Sequence, residues 1–167
     1  MYHHQFKSPL TGFSTILLIG DKQGIQSLQL LKKPHQFDTE CDSQNSLSLF
    51  LEAQQQITAY AMGDLTTFDL PLNPQGTEFQ RQVWQALQTI PYGEVRSYQQ
   101  IAAQIGRPKS YRPVGNANNK NPIPVMIPCH RVTPKSGHLG GYALGQSLKQ
   151  TLLNLESQNT KSKSATP

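Results

Sequence analysis

The pattern of apolar and polar positions predicts strands in the first part of the chain. Apolar residues dominate residues 15–19 and are interspersed with polar ones over residues 25–30. Between these runs lies Asp21-Lys22-Gln23-Gly24, a composition typical of a turn. The pattern therefore indicates two strands joined by a tight connection.

A helical pattern follows these strands. Ser46 is the expected N-cap, and Gly63 is the expected end of the helix. Apolar residues recur between them at helical spacing, namely Leu47, Phe50, Ile57 and Ala61. We therefore expect a small α/β lobe over residues 1–72, followed by a linker at residues 73–76.

Two capping boxes mark helices in the second half of the chain. Thr77 is followed by Gln80, and Ser97 by Gln100, which is the spacing of a capping box. Ser110 is the expected N-cap of a third helix. The second and third helices are joined by a short Gly/Pro-containing turn, which is typical of a helix-turn-helix. An ordinary helical hairpin is the alternative.

Charge is distributed unevenly between the two halves. Residues 1–75 carry 4 Lys/Arg and 7 Asp/Glu, a net charge of −3, whereas residues 76–167 carry 11 Lys/Arg and 3 Asp/Glu, a net charge of +8. A basic lobe of this kind favours a polyanionic partner such as nucleic acid. A solvated basic surface without a partner is the alternative.

The composition argues against several classes of protein. No run of about 18 apolar residues is present, and residues 1–7 lack the layout of a signal peptide. Cys41 and Cys129 are the only cysteines, so a secreted disulfide framework is not expected. We therefore expect a cytoplasmic protein. The Cys and His spacings match no zinc pattern, so a metal is not expected. No cofactor is expected either.

Candidate chemistry is concentrated in Ile127-Pro128-Cys129-His130-Arg131-Val132. This segment places a thiol next to an imidazole, and a nearby base or cation promotes formation of the nucleophilic thiolate. A buried structural cysteine beside a surface histidine is the alternative for an isolated Cys-His pair.

The second lobe resembles the O6-alkylguanine-DNA alkyltransferases over residues 76–156. The matching segments, in chain order, are Gly76-Thr77-Glu78-Phe79-Gln80, Val83-Trp84, Ile90-Pro91-Tyr92-Gly93, Ser97-Tyr98, Arg112-Pro113-Val114-Gly115, Asn121-Pro122, Pro128-Cys129-His130-Arg131-Val132, Gly140-Gly141-Tyr142, and Leu152-Leu153 with Glu156. The resemblance implies an α/β N-terminal lobe and a mostly α-helical C-terminal lobe with a winged-helix-like helix-turn-helix. It also implies a monomer that flips O6-alkylguanine out of duplex DNA from the minor groove and transfers the alkyl group irreversibly to a cysteine.

The resemblance assigns roles to individual residues. Cys129 would be the nucleophile, His130 its base and Glu156 the group that orients the base. Tyr98 would donate a proton to the departing guanine oxygen, and Asn121 would hold the active-site segment. Arg112 would fill the gap left in the base stack. The remaining implied DNA contacts are Ser97, Tyr98, Gly115 and Ala117, and the implied pocket residues are Val132, Tyr142, Ala143 and Leu144.

Two departures from the family pattern concern DNA fit and substrate range. Pro113 stands where the family usually has a small residue, and Tyr142-Ala143-Leu144-Gly145 stands where Tyr-x-Gly-Gly is usual. A non-catalytic sensor of alkylated bases and a thiol hydrolase are the alternative functions. Residues 157–167 lack an apolar anchor and are expected to be a disordered tail.

Overall fold

The computed structural model describes residues 1–34, 44–136 and 138–164, without the side chains of residues 44–47 and 161–164. Cys41 and the end of the predicted tail, residues 165–167, lie outside this part of the chain. The chain divides into two compact units, Met1–Gln75 and Gly76–Pro167.

The first unit contains a three-stranded antiparallel sheet in the order β1-β2-β3 (β1, Tyr2–Lys7; β2, Thr15–Asp21; β3, Gly24–Leu31). The two predicted strands are confirmed as β2 and β3. Their turn is stabilised by the Asp21 carboxylate, which accepts a hydrogen bond from the backbone N–H of Gln23 at 2.8 Å. The first strand, β1, was not predicted, because its composition is mixed and polar. These residues form a strand by pairing with β2.

The helix of the first unit is α1, Gln44–Met62. It ends at Gly63, as predicted, where a φ of +86° favours glycine. The prediction that Ser46 caps this helix is wrong, because Ser46 lies inside it. Phe50 and Ile57 on this helix are fully buried in the core, together with Ile16 and Leu18 of β2.

The second unit contains four helices in its described residues: α2, Glu78–Gln88; α3, Tyr98–Gln104; α4, Tyr111–Asn119; and α5, Gln146–Ser164. Both predicted capping boxes are present, with Thr77 and Ser97 each accepting a hydrogen bond from the N–H three residues later. Ser110 precedes α4 but makes no side-chain capping bond. Helices α3 and α4 form the predicted helix-turn-helix.

Two short strands, β4 (Arg96–Ser97) and β5 (Val132–Thr133), pair in parallel and join the start of α3 to the segment after Cys129. The prediction of disorder from residue 157 is wrong as far as Ser164, because α5 continues to that residue. Side-chain contacts explain the difference, since Asn159 donates a hydrogen bond to the Tyr92 hydroxyl at 3.0 Å. Within the described ranges, no helix is long and apolar enough to cross a membrane.

Candidate active site

Cys129 begins a single 3₁₀ turn, Cys129–Arg131, and is only 4% exposed. Asn118 on α4 donates a hydrogen bond from its side-chain amide to the carbonyl of Cys129 at 3.4 Å. The thiol is therefore inside the second unit, and its residue contacts helix α4 of the helix-turn-helix. Any group that reacts with it must enter the protein.

The segment before Cys129 is held by the side chain of Asn121. Its amide donates to the carbonyl of Ile127 at 2.8 Å, and its oxygen accepts from the N–H of Ile123 at 3.0 Å. Val125 within this segment is buried and has a φ of +75°, a conformation that a β-branched residue adopts only when its surroundings impose it. The geometry matches the holding role that the resemblance implied for Asn121.

His130 and Glu156 form a hydrogen bond with both side chains fully buried. Nε2 of His130 lies 2.8 Å from Oε1 of Glu156. A carboxylate can only accept here, so the shared proton belongs to Nε2, and Nδ1 carries the lone pair that can take a proton. Burial lowers the pKa of His130, although Glu156 opposes this, so the imidazole is neutral at neutral pH.

Glu156 is the centre of a buried network. The Arg131 guanidinium binds both carboxylate oxygens at 3.0 to 3.2 Å, and the N–H of Gly93 donates to Oε2 at 3.0 Å. Burial alone would raise the pKa of Glu156, but His130 and Arg131 together lower it to about 2. Because Arg131 is always charged, Glu156 stays ionised whether or not His130 is protonated.

Arg131 has further partners that keep it in place. It donates from a terminal nitrogen to the carbonyl of Ile90 at 2.6 Å, and its guanidinium lies 5.6 Å from the centre of the Tyr92 ring. These contacts hold Arg131 in place, and the ion pair in turn fixes the position of the His130 imidazole that is hydrogen-bonded to Glu156.

Tyr142 in the loop after β5 and Lys149 on α5 influence the thiol. Cys129 donates a hydrogen bond to the hydroxyl of Tyr142 at 3.6 Å, and the buried Lys149 donates from Nζ to the carbonyl of Val132 at 2.6 Å. Burial raises the pKa of Cys129, and the Asn121 and Tyr142 side chains and the charge of Lys149 offset only part of the rise. The resting thiol is therefore protonated at neutral pH and needs a base.

Tyr98 is the first residue of α3 and is half-buried. Its ring lies near Gly115, where an added Cβ would be 3.7 Å from the ring. Burial, and to a smaller extent the negative charge of a Cys129 thiolate, raise the pKa of Tyr98. The side chain therefore remains a phenol at neutral pH and can donate a proton.

The residues expected to contact DNA divide into two groups. Arg112 is exposed at the start of α4, and Ser97 lies at the start of α3, where its hydroxyl acts as the N-cap. The expectation that Ala117 faces DNA is wrong, because Ala117 is only 3% exposed and its carbonyl accepts a hydrogen bond from the Trp84 indole at 2.9 Å. Residues two apart on a helix point in different directions, so Ala117 cannot share the face of Gly115.

The expected pocket residues differ in exposure. Val132 is buried, Tyr142 and Leu144 are half-buried, and Ala143 is exposed. Ala143 and Leu144 occupy a turn closed by a 3.0 Å hydrogen bond from the N–H of Gly145 to the carbonyl of Tyr142.

Lys149 and Arg131 are two functional candidates that sequence reasoning missed. Lys149 lies seven residues, or two helical turns, before Glu156, so both residues occupy one face of α5 together with the buried Leu152. The sequence pattern that could have indicated Lys149 is a cation and an anion on one otherwise apolar helix face. The sequence alone indicates Arg131 only as part of a motif, because its partner Glu156 is 25 residues away.

The buried thiol of Cys129 is thus followed directly by a neutral imidazole, which is hydrogen-bonded to an anchored carboxylate. The DNA-binding domain of the family described as 6-O-methylguanine DNA methyltransferase matches residues 78–158, and its ribonuclease-like domain matches residues 1–74.

Individual relatives give the same result. A methylated-DNA–protein-cysteine methyltransferase from Methanosarcina barkeri is 46% identical over 161 residues, covering 96% of this chain and 100% of the relative. One from Mycolicibacterium paratuberculosis is 56% identical over 111 residues, covering 66% of this chain and 67% of the relative. The crystal structure of Mycobacterium tuberculosis OGT in complex with DNA has a TM-score of 0.82 and 41% identity, and the match covers 95% of this chain and 94% of that one.

The chain therefore belongs to the family of methylated-DNA–protein-cysteine methyltransferases. The predicted fold class is confirmed, and so is the prediction of an alkyltransferase that repairs DNA through a cysteine.

Proposed function

We propose that this protein repairs O6-alkylguanine in double-stranded DNA by transferring the alkyl group to Cys129, and that it acts as a monomer. The observation that carries this proposal is the buried Cys129 thiol followed directly by His130. Nε2 of His130 is hydrogen-bonded to the Glu156 carboxylate at 2.8 Å. The relatives described above support the assignment of DNA as partner.

Burial of the thiol supports extrusion of the damaged base. With Cys129 only 4% exposed, an O6-alkyl group inside an intact duplex cannot approach the sulfur. Flipping a nucleotide costs a few kcal/mol, and less for a poorly paired base, so lesions are favoured over normal guanine. We infer that Arg112 enters the vacated space from the minor groove, and its exposure at the start of α4 supports this role.

The direction of each pKa shift indicates which group accepts a proton and which group donates one. Nδ1 of His130 takes the thiol proton, directly or through a water, and the resulting imidazolium is stabilised by Glu156. The sulfur then forms a bond to the alkyl carbon as the bond between carbon and guanine O6 breaks. Tyr98 donates the proton that the departing oxygen requires, and His130 holds the proton that balances it.

Lys149 contributes positive charge near the Cys129 thiol. Its buried ammonium lies 5.8 Å from the centre of the Tyr142 ring, and Tyr142 contacts the thiol. The positive charge lowers the pKa of Cys129 and so favours the thiolate that forms on the way to the thioether. The thioether has no leaving group that water can displace readily, which makes the reaction a single turnover.

Mass spectrometry of the protein after mixing with a duplex that contains O6-methylguanine tests the proposal. We expect a gain of about 14 Da on Cys129, the mass of one methylene, in a 1:1 ratio with protein. Cys129→Ala should bind the same duplex and gain no mass. Transfer by Cys129→Ala, or repeated turnover by the wild type, would contradict the proposal, and cycling on an ester or amide without DNA would favour a thiol hydrolase.

A further inference from the structure

Tyr111 is an exposed aromatic residue at the first position of α4. It is 41% exposed, one of five large apolar side chains that are exposed in the described part of the chain. An isolated exposed aromatic side chain is common and needs no explanation. The environment of this one is more specific, because its immediate neighbour is the arginine assigned to the base stack.

The Arg112 guanidinium lies over the face of the Tyr111 ring, with Cζ 5.9 Å from the ring centre. Both side chains are exposed, so neither is held by the core. A cation over an aromatic face is attracted by the ring quadrupole. The contact therefore restricts a long, flexible arginine that would otherwise sample many rotamers before reaching DNA.

The backbone beneath this pair is stiff. Pro113 follows directly and lies in the first turn of α4, where its fixed φ is compatible with the helix and its missing N–H has no intrahelical partner to lose. The next residue, Val114, is fully buried in the core. Tyr111 and Arg112 thus project from a rigid support.

We propose that Tyr111 is a positioning residue for DNA repair: its ring holds the Arg112 guanidinium ready for insertion and then stacks against the DNA beside the extruded nucleotide. This inference rests on the proposed function. A planar cation together with an aromatic face is suited to stacking on nucleobases.

Charge favours DNA as the partner of this pair. The second half of the chain has a net charge of +8, and Arg107 and Lys109 lie immediately before α4. In a complex with nucleic acid, a base or sugar can contact the Tyr111 ring, and the phosphates can pair with the surrounding cations. A purely apolar protein partner would leave these cations without counter-charges.

Three substitutions at one position separate stacking from general packing. Tyr111→Phe keeps the aromatic face, Tyr111→Leu keeps apolar volume without that face, and Tyr111→Ala removes both. The second-order rate of methyl transfer is measured with a duplex containing O6-methylguanine and with free O6-methylguanine base. We expect Leu and Ala to slow repair of the duplex by about fivefold or more, Phe to stay within about twofold of wild type, and all four proteins to react equally with the free base.

A double-mutant cycle with Arg112→Ala tests whether the two residues act together. Substitution of Tyr111 should have a much smaller effect when Arg112 is already alanine. Fluorescence of 2-aminopurine placed next to the lesion reports unstacking, and Leu and Ala should reduce the signal while Phe preserves it.

Several outcomes would overturn the inference. These are equal rates for Leu and Phe, an equal loss on the free base and the duplex, or fully additive effects of the two alanine substitutions. If the wild type transfers no methyl group to any substrate, the proposed function fails. In that case, affinity for a duplex with an abasic site still tests Tyr111, since loss with Leu but not with Phe supports its stacking role and equal affinities refute it.

Discussion

Replacing Glu156 with glutamine tests the buried network most directly. The substitution keeps the shape of the side chain and removes its charge, leaving Arg131 and His130 without a carboxylate. The fall in the pKa of Glu156 from an ordinary 4.5 to about 2 corresponds to about 3 kcal/mol of folding free energy, at about 1.4 kcal/mol for each tenfold change in proton affinity. Removing one partner of a buried ion pair typically costs about 3–5 kcal/mol, which agrees with this value.

The pH dependence of this difference has a definite sign. Because the folded-state pKa of Glu156 is depressed, its contribution is fully present above pH 4.5 and is lost as the pH falls toward 2. The free energy of unfolding of Glu156→Gln should therefore lie about 3 kcal/mol below that of the wild type at pH 7. The difference should shrink to about 2 kcal/mol at pH 3.5, because the protonated acid resembles the amide.

Fluorescence of the single tryptophan provides the assay. Trp84 is buried in the second unit and makes a hydrogen bond to the carbonyl of Ala117, so its emission reports unfolding of the unit that contains Glu156. Urea titrations at pH 7 and pH 3.5 give both differences. Glu94→Gln is the matched control, because Glu94 forms an exposed ion pair with Arg96 and its loss should cost less than about 1 kcal/mol.

Two results would refute the reasoning. If Glu156→Gln were as stable as the wild type at pH 7, the ion pair would not contribute the stability inferred from its geometry. If the difference were as large at pH 3.5 as at pH 7, the lost stability would come from packing instead of from the carboxylate charge.

Four further predictions concern the reaction and the binding of DNA. His130→Ala should slow methyl transfer severely at neutral pH, because burial raises the pKa of the Cys129 thiol and the protonated thiol then lacks its base. The rate should recover in part at high pH, where the thiol ionises without a base. An unchanged pH profile would remove His130 from the proton path. Lys149→Met should shift the pH dependence of iodoacetamide alkylation of Cys129 upward, since it removes a charge that lowers the thiol pKa, and an unshifted profile would exclude this role. Leu144→Gly should accelerate inactivation by O6-benzylguanine more than methyl transfer, and equal effects would show that Leu144 does not narrow the pocket. Affinity for duplex DNA should fall about 1,000-fold between 50 and 200 mM salt if six phosphates are neutralised, whereas a flat response would argue against a duplex-binding surface.

Local features of the second unit were predictable because their causes lie within a few residues. Each capping box needs only a hydroxyl and an amide three positions apart, and both predicted boxes are present at Thr77 and Ser97. The reactive motif around Cys129 is likewise a contiguous segment. Its resemblance to a known family therefore indicates the chemistry without knowledge of the fold.

Side-chain direction was less predictable, even within a correctly predicted helix. Gly115 and Ala117 were both expected at the DNA surface because both are small. The packing of α4 against Trp84 decides which face is buried, and it places Ala117 inside. The length of α5 was also decided by tertiary contacts, because Asn159 reaches Tyr92, a residue 67 positions earlier.

The sequence by itself determined the starts of the capped helices α2 and α3, the order of the lobes and the candidate nucleophile, since these depend on neighbouring residues and on a contiguous motif. Only the tertiary structure decided how the nucleophile is controlled. The ionisation of Cys129 and His130 depends on burial and on charged groups of α5 that lie 19 or more residues farther along the chain, namely Lys149 for both and Glu156 for His130. Desolvation and Coulomb interactions act through space, so their balance is set only when the folded chain brings these groups together.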